Sequence, residues 1–270
     1  MSERDAAATG TRAVKVTDLS VQFGGLNALS EINLTCWVGE VVGVVGPNGA
    51  GKTTLLNAIS RTVMPTSGQI ELFGQETSGL RSTQIARLGV GRSFQLAELF
   101  SQMTVEQYIL LGLHSQMKGR ALPIAIGRGR REERAAWERA RAELAAYGLG
   151  AISGGATMGS LSYGTRKRLD IVRASIANPR LLLLDEPSSG LSEAESSELA
   201  ELWRERRRSG QDQAATVIVV DHRIGFVRAF CERLVAISYG RKIADGDCDS
   251  VLGLPAVQEA FMGQALSQDP

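Results

Sequence analysis

The chain has 270 residues, enough for one large domain or two lobes around a sizeable core. Lys and Arg number 30 against 29 Asp and Glu, a formal net charge of +1, so no field of one sign exists to draw in nucleic acid or an anionic membrane. The three cysteines, Cys36, Cys231 and Cys248, are widely spaced and form no CxxC pair, which argues against a disulfide framework or a zinc site and fits a reducing cytoplasm.

Residues 1–12 are small and polar and read as a disordered N-terminus; Met1 to Lys15 has no apolar stretch of the signal-peptide kind. Val14–Val21 and Ile32–Trp37 alternate apolar and polar residues as strands do. Glu40–Val45 is a nearly continuous apolar run, the pattern of a buried strand, and it leads into Gly46-Pro-Asn-Gly-Ala-Gly-Lys-Thr53. Thr54–Arg61 then reads as a helix and Gly68–Phe73 as another short strand. From about Glu98 to Asn178 helix formers dominate. Ala136, Trp137, Ala140, Leu144 and Tyr147 recur at three- and four-residue spacing within Arg131–Tyr147. A Gly- and Arg-rich stretch, 117–131, reads as a surface insertion whose Arg128, Arg130 and Arg131 form a solvated basic cluster. Strand-like runs return at Leu181–Leu184, Val217–Val220 and Leu234–Ile237, with Glu193–Arg208 as the longest helix between them. Strands alternating with helices predict an α/β fold with a largely parallel sheet, the helical middle being inserted between its two halves. No run reaches the roughly 18 consecutive apolar residues of a membrane-spanning helix. The expectation is a soluble chain that acts at a membrane only by docking onto something that spans it.

Gly46-x-x-x-x-Gly51-Lys52-Thr53 is a complete P-loop, placed after a strand and before a helix as its mechanism demands. Gly49 and Gly51 let main-chain amides turn toward a phosphate at a helix N-terminus. Lys52 reaches toward the β- and γ-phosphates, and the Thr53 hydroxyl is a Mg²⁺ ligand. Leu181-Leu-Leu-Leu-Asp185-Glu186 delivers two adjacent acids to the carboxyl end of a buried strand, where ligands of parallel sheets bind. Neighbouring carboxylates repel unless a cation lies beside them, so Asp185 is expected to hold Mg²⁺ and Glu186 to polarise the attacking water. Leu161-Ser-Tyr-Gly-Thr-Arg-Lys-Arg168 places a serine and a glycine before a basic, helix-competent run, 23 positions before Asp185 counted from Ser162. His222 follows the strand 217–220, where an imidazole can sense a γ-phosphate, and Gln95 sits between the P-loop lobe and the helical insert.

These ordered motifs resemble the nucleotide-binding subunit of an ATP-binding-cassette (ABC) transporter over nearly the whole chain, about 14 to 263. The resemblance implies a P-loop ATPase with a RecA-like parallel or mixed sheet lobe, 13–95 and 178–263, an inserted α-helical signature subdomain, 96–177, and a tail, 264–270. It implies that Phe23 stacks on adenine, that Gly46, Pro47, Asn48, Gly49, Ala50, Gly51, Lys52, Thr53 and Thr54 cradle the phosphates, and that Gln95 contacts Mg²⁺ and the attacking water. His222 becomes the switch histidine, and Ser162 and Gly164 close on the γ-phosphate held by an opposite subunit. ATP is then glue between two chains, and hydrolysis removes it. Permease helices are implied to dock near Gln95–Tyr108, with two transmembrane permeases, a second ATPase (more often different than identical) and, indirectly, a substrate-binding protein as partners. That places the chain at the cytoplasmic face of the cell membrane.

Arg92-Ser-Phe-Gln95, Leu99-Phe100, Met103-Thr-Val-Glu106, Leu161-Ser-Tyr-Gly164 and the long insert at 116–135 resemble the larger ATPase of the branched-chain (hydrophobic) amino acid uptake branch. Importers of urea or small organic acids share this ATPase type. Tyr163 and Thr165 replace the usual second Gly and Gln of the signature. Ser192 stands where Asp is usual after Ser188-Ser-Gly-Leu191, which brings the carboxylate-based coupling of that loop into question. A single P-loop, the lack of heptads and the near-zero charge argue against a soluble ABC ATPase of ribosomes or DNA. The run 161–164 argues against a small-molecule kinase, and Glu186 with His222 against a non-hydrolysing ATP binder. His114 matches no motif.

Overall fold

β1 (Arg12–Phe23) and β2 (Leu26–Trp37) are joined by Gly24 and Gly25 alone, a link too short for a crossover, so they pair antiparallel. Gly24 has φ 58°, the left-handed backbone that such tight links need. The computed structural model that shows this describes residues 10–93, 100–113, 129–209 and 215–265, without the side chains of 129–136, 139 and 262–265. Gln95, His114 and residues 117–128 of the expected insertion lie outside the described residues.

β3 (Val41–Val45) is buried at all five positions and leads through the P-loop into α1 (Lys52–Ile59). β4 (Ser67–Leu72) and β5 (Gln75–Glu76) form a second antiparallel ribbon, and β4 pairs with β1. α2 (Ser82–Arg87) and β6 (Val90–Arg92) precede the helical segment, which holds α3 (Val105–Leu111), α4 (Gly129–Ala146) and α5 (Tyr163–Ser175). The chain returns as β7 (Leu181–Asp185), α6 (Glu193–Arg208), β8 (Thr216–Val220), α7 (Ile224–Phe230), β9 (Arg233–Ser238) and β10 (Arg241–Gly246). It closes with α8 (Cys248–Leu252) and α9 (Pro255–Ala265). β1 begins at Arg12, inside the segment 1–12 expected to be disordered, and α9 runs to Ala265, inside the expected tail. Of the expected insertion 117–131, residues 129–131 already belong to α4.

Two sheets make up the parallel or mixed sheet lobe that the resemblance implies, where the alternation of strands and helices alone predicts one largely parallel sheet. One is a four-stranded antiparallel sheet of order β2-β1-β4-β5. The other has six strands in the order β10-β9-β3-β8-β7-β6, parallel throughout except for the β9–β10 edge. The physical reason is connection length: strands linked by a hairpin, as β1–β2, β4–β5 and β9–β10 are, cannot run parallel to each other, whereas every parallel pair is separated along the chain by helices.

Alternation along the parallel strands divides the core in two. Val42, Val44, Leu183, Ile218, Val220 and Ile237 face α1 and the antiparallel sheet. Val41, Val45, Leu182, Leu184, Val217 and Val219 face α6, α7 and the helical segment, where Trp203, Phe226 and Phe230 pack together. Ala140 and Leu144 of α4, and Tyr147 just after it, are buried in that second cluster, as their spacing predicts. Each fully buried Leu or Ile contributes roughly 1.5–3 kcal/mol relative to exposure, which is what fixes the register. In that register Val44 and Asp185 each lie opposite Val220. The carboxyl ends of β3, β7 and β8 therefore meet at one level, and the residues just past them, 46, 186 and 221, share one crevice.

Candidate functional site: a nucleotide crevice at the strand ends

The P-loop is shaped by close backbone approach. A Cβ on Gly46 would stand 2.0 Å from the Ile237 carbonyl oxygen, and one on Gly51 would stand 2.4 Å from that of Ala28. Gly51 has φ 101° and forms the N-cap of α1 with no side-chain cap and no acid in the first turn. The unpaired amides of a helix start are thus left to an anion. The Gly240 amide donates to the Ala50 carbonyl (3.0 Å), anchoring the loop to the β9–β10 turn. Lys52 is only 6% exposed, and its ammonium donates to the carbonyls of Gly46 and Pro47, both at 2.8 Å. Burial lowers its pKa, while the carboxylates of Glu186, Asp185 and Asp221 act in the opposite direction. Asn48 and Gly49 form the exposed rim, and Pro47, Thr53 and Thr54 are half-buried.

Asp185 is almost wholly buried at the end of β7. Its Oδ1 accepts from the Thr53 hydroxyl (3.1 Å), Arg92 Nη2 lies 3.7 Å from Oδ2, and its amide donates to Ser93 Oγ (2.8 Å). Burial raises its pKa, opposed first by the Thr53 hydrogen bond and then by the Arg92 charge. The Thr53 hydroxyl and the Asp185 carboxylate are two hard oxygen donors side by side, the ligand type that Mg²⁺ takes together with phosphate oxygens and water. Glu186 has φ 48°, a left-handed backbone that costs a bulky residue on the order of 1–3 kcal/mol. Its amide donates to Val220 O (2.7 Å) and its carbonyl accepts from Lys167 Nζ (3.1 Å). His222 Nδ1 stands 3.9 Å from Glu186 Oε1 on a half-exposed ring.

The signature residues sit elsewhere. Ser162 is exposed and caps α5: its Oγ accepts from the Thr165 amide (3.2 Å) and hydrogen-bonds Thr165 Oγ1 (2.8 Å). Thr165, which departs from the usual Gln, is thereby a capping partner. Tyr163 lies over Gly190, where an added Cβ would meet its ring at 2.2 Å. Gly164 is buried against its own chain, a Cβ there standing 2.8 Å from Glu195 Oε1 and 3.1 Å from Leu191. Among the described residues no hydrogen bond joins 162–165 to 46–54. The fold gathers Lys52, Thr53, Asp185, Glu186 and His222 and leaves Ser162 and Gly164 apart from them.

Phe23, at the end of β1 and paired with Leu26, is 49% exposed, so the core role open to any lone aromatic in a strand does not apply. Ser192 is the N-cap of α6 in a reciprocal box with Glu195: its Oγ accepts from the Glu195 amide (3.2 Å), and the Glu195 carboxylate accepts from its amide (2.8 Å). Sequence reasoning gave no role to Arg92, Ser93, Lys167, Asp221 or Arg223, all of which touch the site. The one available signal was proximity in sequence to Gln95, Gly164 or His222, which carries no geometry.

The ABC transporter family profile matches residues 29–189. The chain belongs to the ABC transporter family. Among its relatives, the high-affinity branched-chain amino acid transport ATP-binding protein LivG of Escherichia coli K12 is 35% identical across 93% of this chain and 98% of its own. A nucleotide-free ATP-binding cassette from an ABC transporter superposes with a TM-score of 0.79 at 23% identity, covering 93% of this chain and 98% of that one. A dimeric ATP-binding cassette in a post-hydrolysis state, bound to ADP and Pi, has a TM-score of 0.72 at 25% identity, over 87% of this chain and 98% of that one. This ABC ATPase hydrolyses ATP to ADP and phosphate, and the crevice at the ends of β3, β7 and β8 is where its P-loop and acids converge.

Proposed function

We propose that the chain is the ATP-hydrolysing subunit of an importer for branched-chain (hydrophobic) amino acids. The observation that carries this is the convergence of Lys52, Thr53, Asp185, Glu186 and His222 at adjacent strand ends, in a chain 35% identical along 93% of its length to a branched-chain amino acid transport ATP-binding protein. Phe23 stacks on the base. The amides of 46–54 and the Lys52 ammonium hold the β- and γ-phosphates. Thr53, Asp185 and Gln95 hold Mg²⁺, which when bound neutralises charge on the phosphate oxygens. Glu186 takes the proton of the attacking water, and His222 with Gln95 aligns that water and the γ-phosphate. Ser162 and Gly164 complete the nucleotide site of a second ATPase subunit.

The helical subdomain, 96–177, carries motion from this closure to two permeases at the cytoplasmic face of the membrane. A groove of ≈ 340 Å³ lined in part by Ser82, Ile85, Arg92, Leu111 and Pro179 supports that docking. Leu111 is 40% exposed there, which suits an apolar partner surface.

Two measurements test the reading. Glu186→Gln should keep ATP binding while lowering turnover at least ~10²-fold, the order expected for a lost catalytic base; wild-type turnover in that variant overturns the role. In the assembled transporter, leucine presented by its binding protein should stimulate hydrolysis. Stimulation by urea or an organic acid in its place reassigns the cargo.

A further inference from the structure

His222 stands between Asp221 and Arg223, neither of which the chemistry above uses. Asp221 is fully buried, and its carboxylate accepts from the amide (3.0 Å) and hydroxyl (2.8 Å) of Ser188 and from the amide of Arg223 (3.0 Å). Arg223 reaches back to the same loop: Nη1 donates to the carbonyls of Ser188 (3.2 Å) and Leu191 (2.7 Å) and to Ser196 Oγ (2.7 Å). An anion that takes the loop's donors and a cation that fills its acceptors thus grip 188–196 from both sides of the histidine. Charge-assisted hydrogen bonds of this kind are about twice as strong as neutral ones.

The His222 ring makes no hydrogen bond among the described residues. Its closest charged neighbours are the carboxylates of Glu186 and Asp221, each at 3.9 Å. Its placement therefore comes from the backbone on either side. The gripped loop also contains Gly190, on which Tyr163 of the signature segment rests. One face of 188–191 thus meets the signature and the other meets Arg223.

We propose that Arg223 is a positioning residue for ATP hydrolysis: by clamping the 188–191 loop to the turn that bears His222, it sets the His222–Glu186 geometry and links it to the signature segment. The proposal rests on the assignment of Glu186 and His222 made above. It also answers what position 192 leaves open, since the link runs through a guanidinium on two loop carbonyls and not through a loop carboxylate.

The test is Arg223→Ala in the full chain, with ATP turnover and ATP affinity measured separately. The expected result is a kcat lower by about tenfold or more with KM changed less than about threefold, because a misplacement of about 1 Å costs up to ~10² in rate without loosening phosphate contacts. Arg223→Lys, which keeps the charge on a shorter side chain without the planar guanidinium, should recover part of the loss. An unchanged kcat overturns the proposal. So does a joint change in kcat and KM that lysine does not recover, since a general folding lesion would look like that. If Arg223→Ala does not fold, Ser196→Ala removes one acceptor and is read the same way: a fall of about twofold or more in kcat at constant KM supports the clamp, and no change overturns it. His222→Ala separates the two levels. Full turnover in that variant removes the underlying assignment, whereas lost turnover there with normal turnover in Arg223→Ala removes the clamp alone.

Discussion

Lys52 lies 6% exposed with its ammonium held by two carbonyls of its own loop, whereas Ser162, in the proposed other half of the nucleotide machinery, is exposed and turns its hydroxyl onto its own helix. The phosphate-binding half is finished inside one chain. β3 delivers it, Ile237 and Ala28 press on its glycines, and the β9–β10 turn anchors Ala50. An anion meets a nest already in shape, so little ordering cost remains at binding. The signature half is rigid in a different sense: capped by Ser162, packed by Gly164 on α6, and roofed over Gly190 by Tyr163, yet with no hydrogen bond to its own P-loop among the described residues. In the proposed function its partner is the nucleotide of a second subunit. Under the function proposed above, an enzyme split in this way binds nucleotide as one chain and is completed by a second subunit.

That contrast can be broken most severely at Lys52. Lys52→Ala removes the one cation at the centre of the loop, and equilibrium binding of ATP should weaken by about 10²-fold, the size expected for losing strong charge-assisted bonds to two phosphates. Near-normal affinity would mean that the phosphate half is not where the crevice places it. The matching change on the other half, Ser162→Ala, should leave ATP affinity of the single chain within about twofold while turnover of the assembled pair drops by about tenfold, the size of one lost charge-assisted contact. Its helix cap is lost as well, at about 1 kcal/mol of stability. If single-chain binding falls in step with turnover, the division into a finished and an unfinished half is wrong. The smallest effect is expected at Ser192. Ser192→Ala should lower thermal stability by about 1 kcal/mol through the lost α6 cap, with kcat unaltered. A drop in kcat there would restore a coupling role to that position and weaken the case for Arg223.

Much of this molecule was legible along the chain, for identifiable reasons. Glu40–Val45 and Leu181–Leu184 read as buried strands because unbroken apolar runs have few other homes, and Val41–Val45 and Leu181–Leu184 are buried throughout. The helix Glu193–Arg208 was legible to the residue, since Ser192 and Glu195 mark its start and the basic Arg206, Arg207 and Arg208 its end. The P-loop was legible because steric demands at Gly46 and Gly51 exclude any side chain. The antiparallel sheet has its signal in the Gly24–Gly25 link, whereas the alternation of strands and helices farther along the chain points only to the parallel one. β6 and β10 were missed because three residues in one case, and a polar, half-exposed edge in the other, carry no apolar period.

What the sequence by itself determined is the set of parts: a phosphate loop, two acids at a strand end, a histidine after another strand and a capped signature helix. Those follow from local demands, the absence of a Cβ, the period of apolar residues and the donors a helix start leaves open. Only the tertiary structure decided which parts meet. Strand order sets β7 beside β8 and β8 beside β3, so Asp185 lies level with Val220 and Val44, and His222 comes to Glu186 across 36 residues of chain. The Arg223 grip on Ser188, Leu191 and Ser196 has no local signature at all. Its partners are 27 to 35 residues away, and distances of that kind are fixed by how the core packs and not by any pattern along the chain.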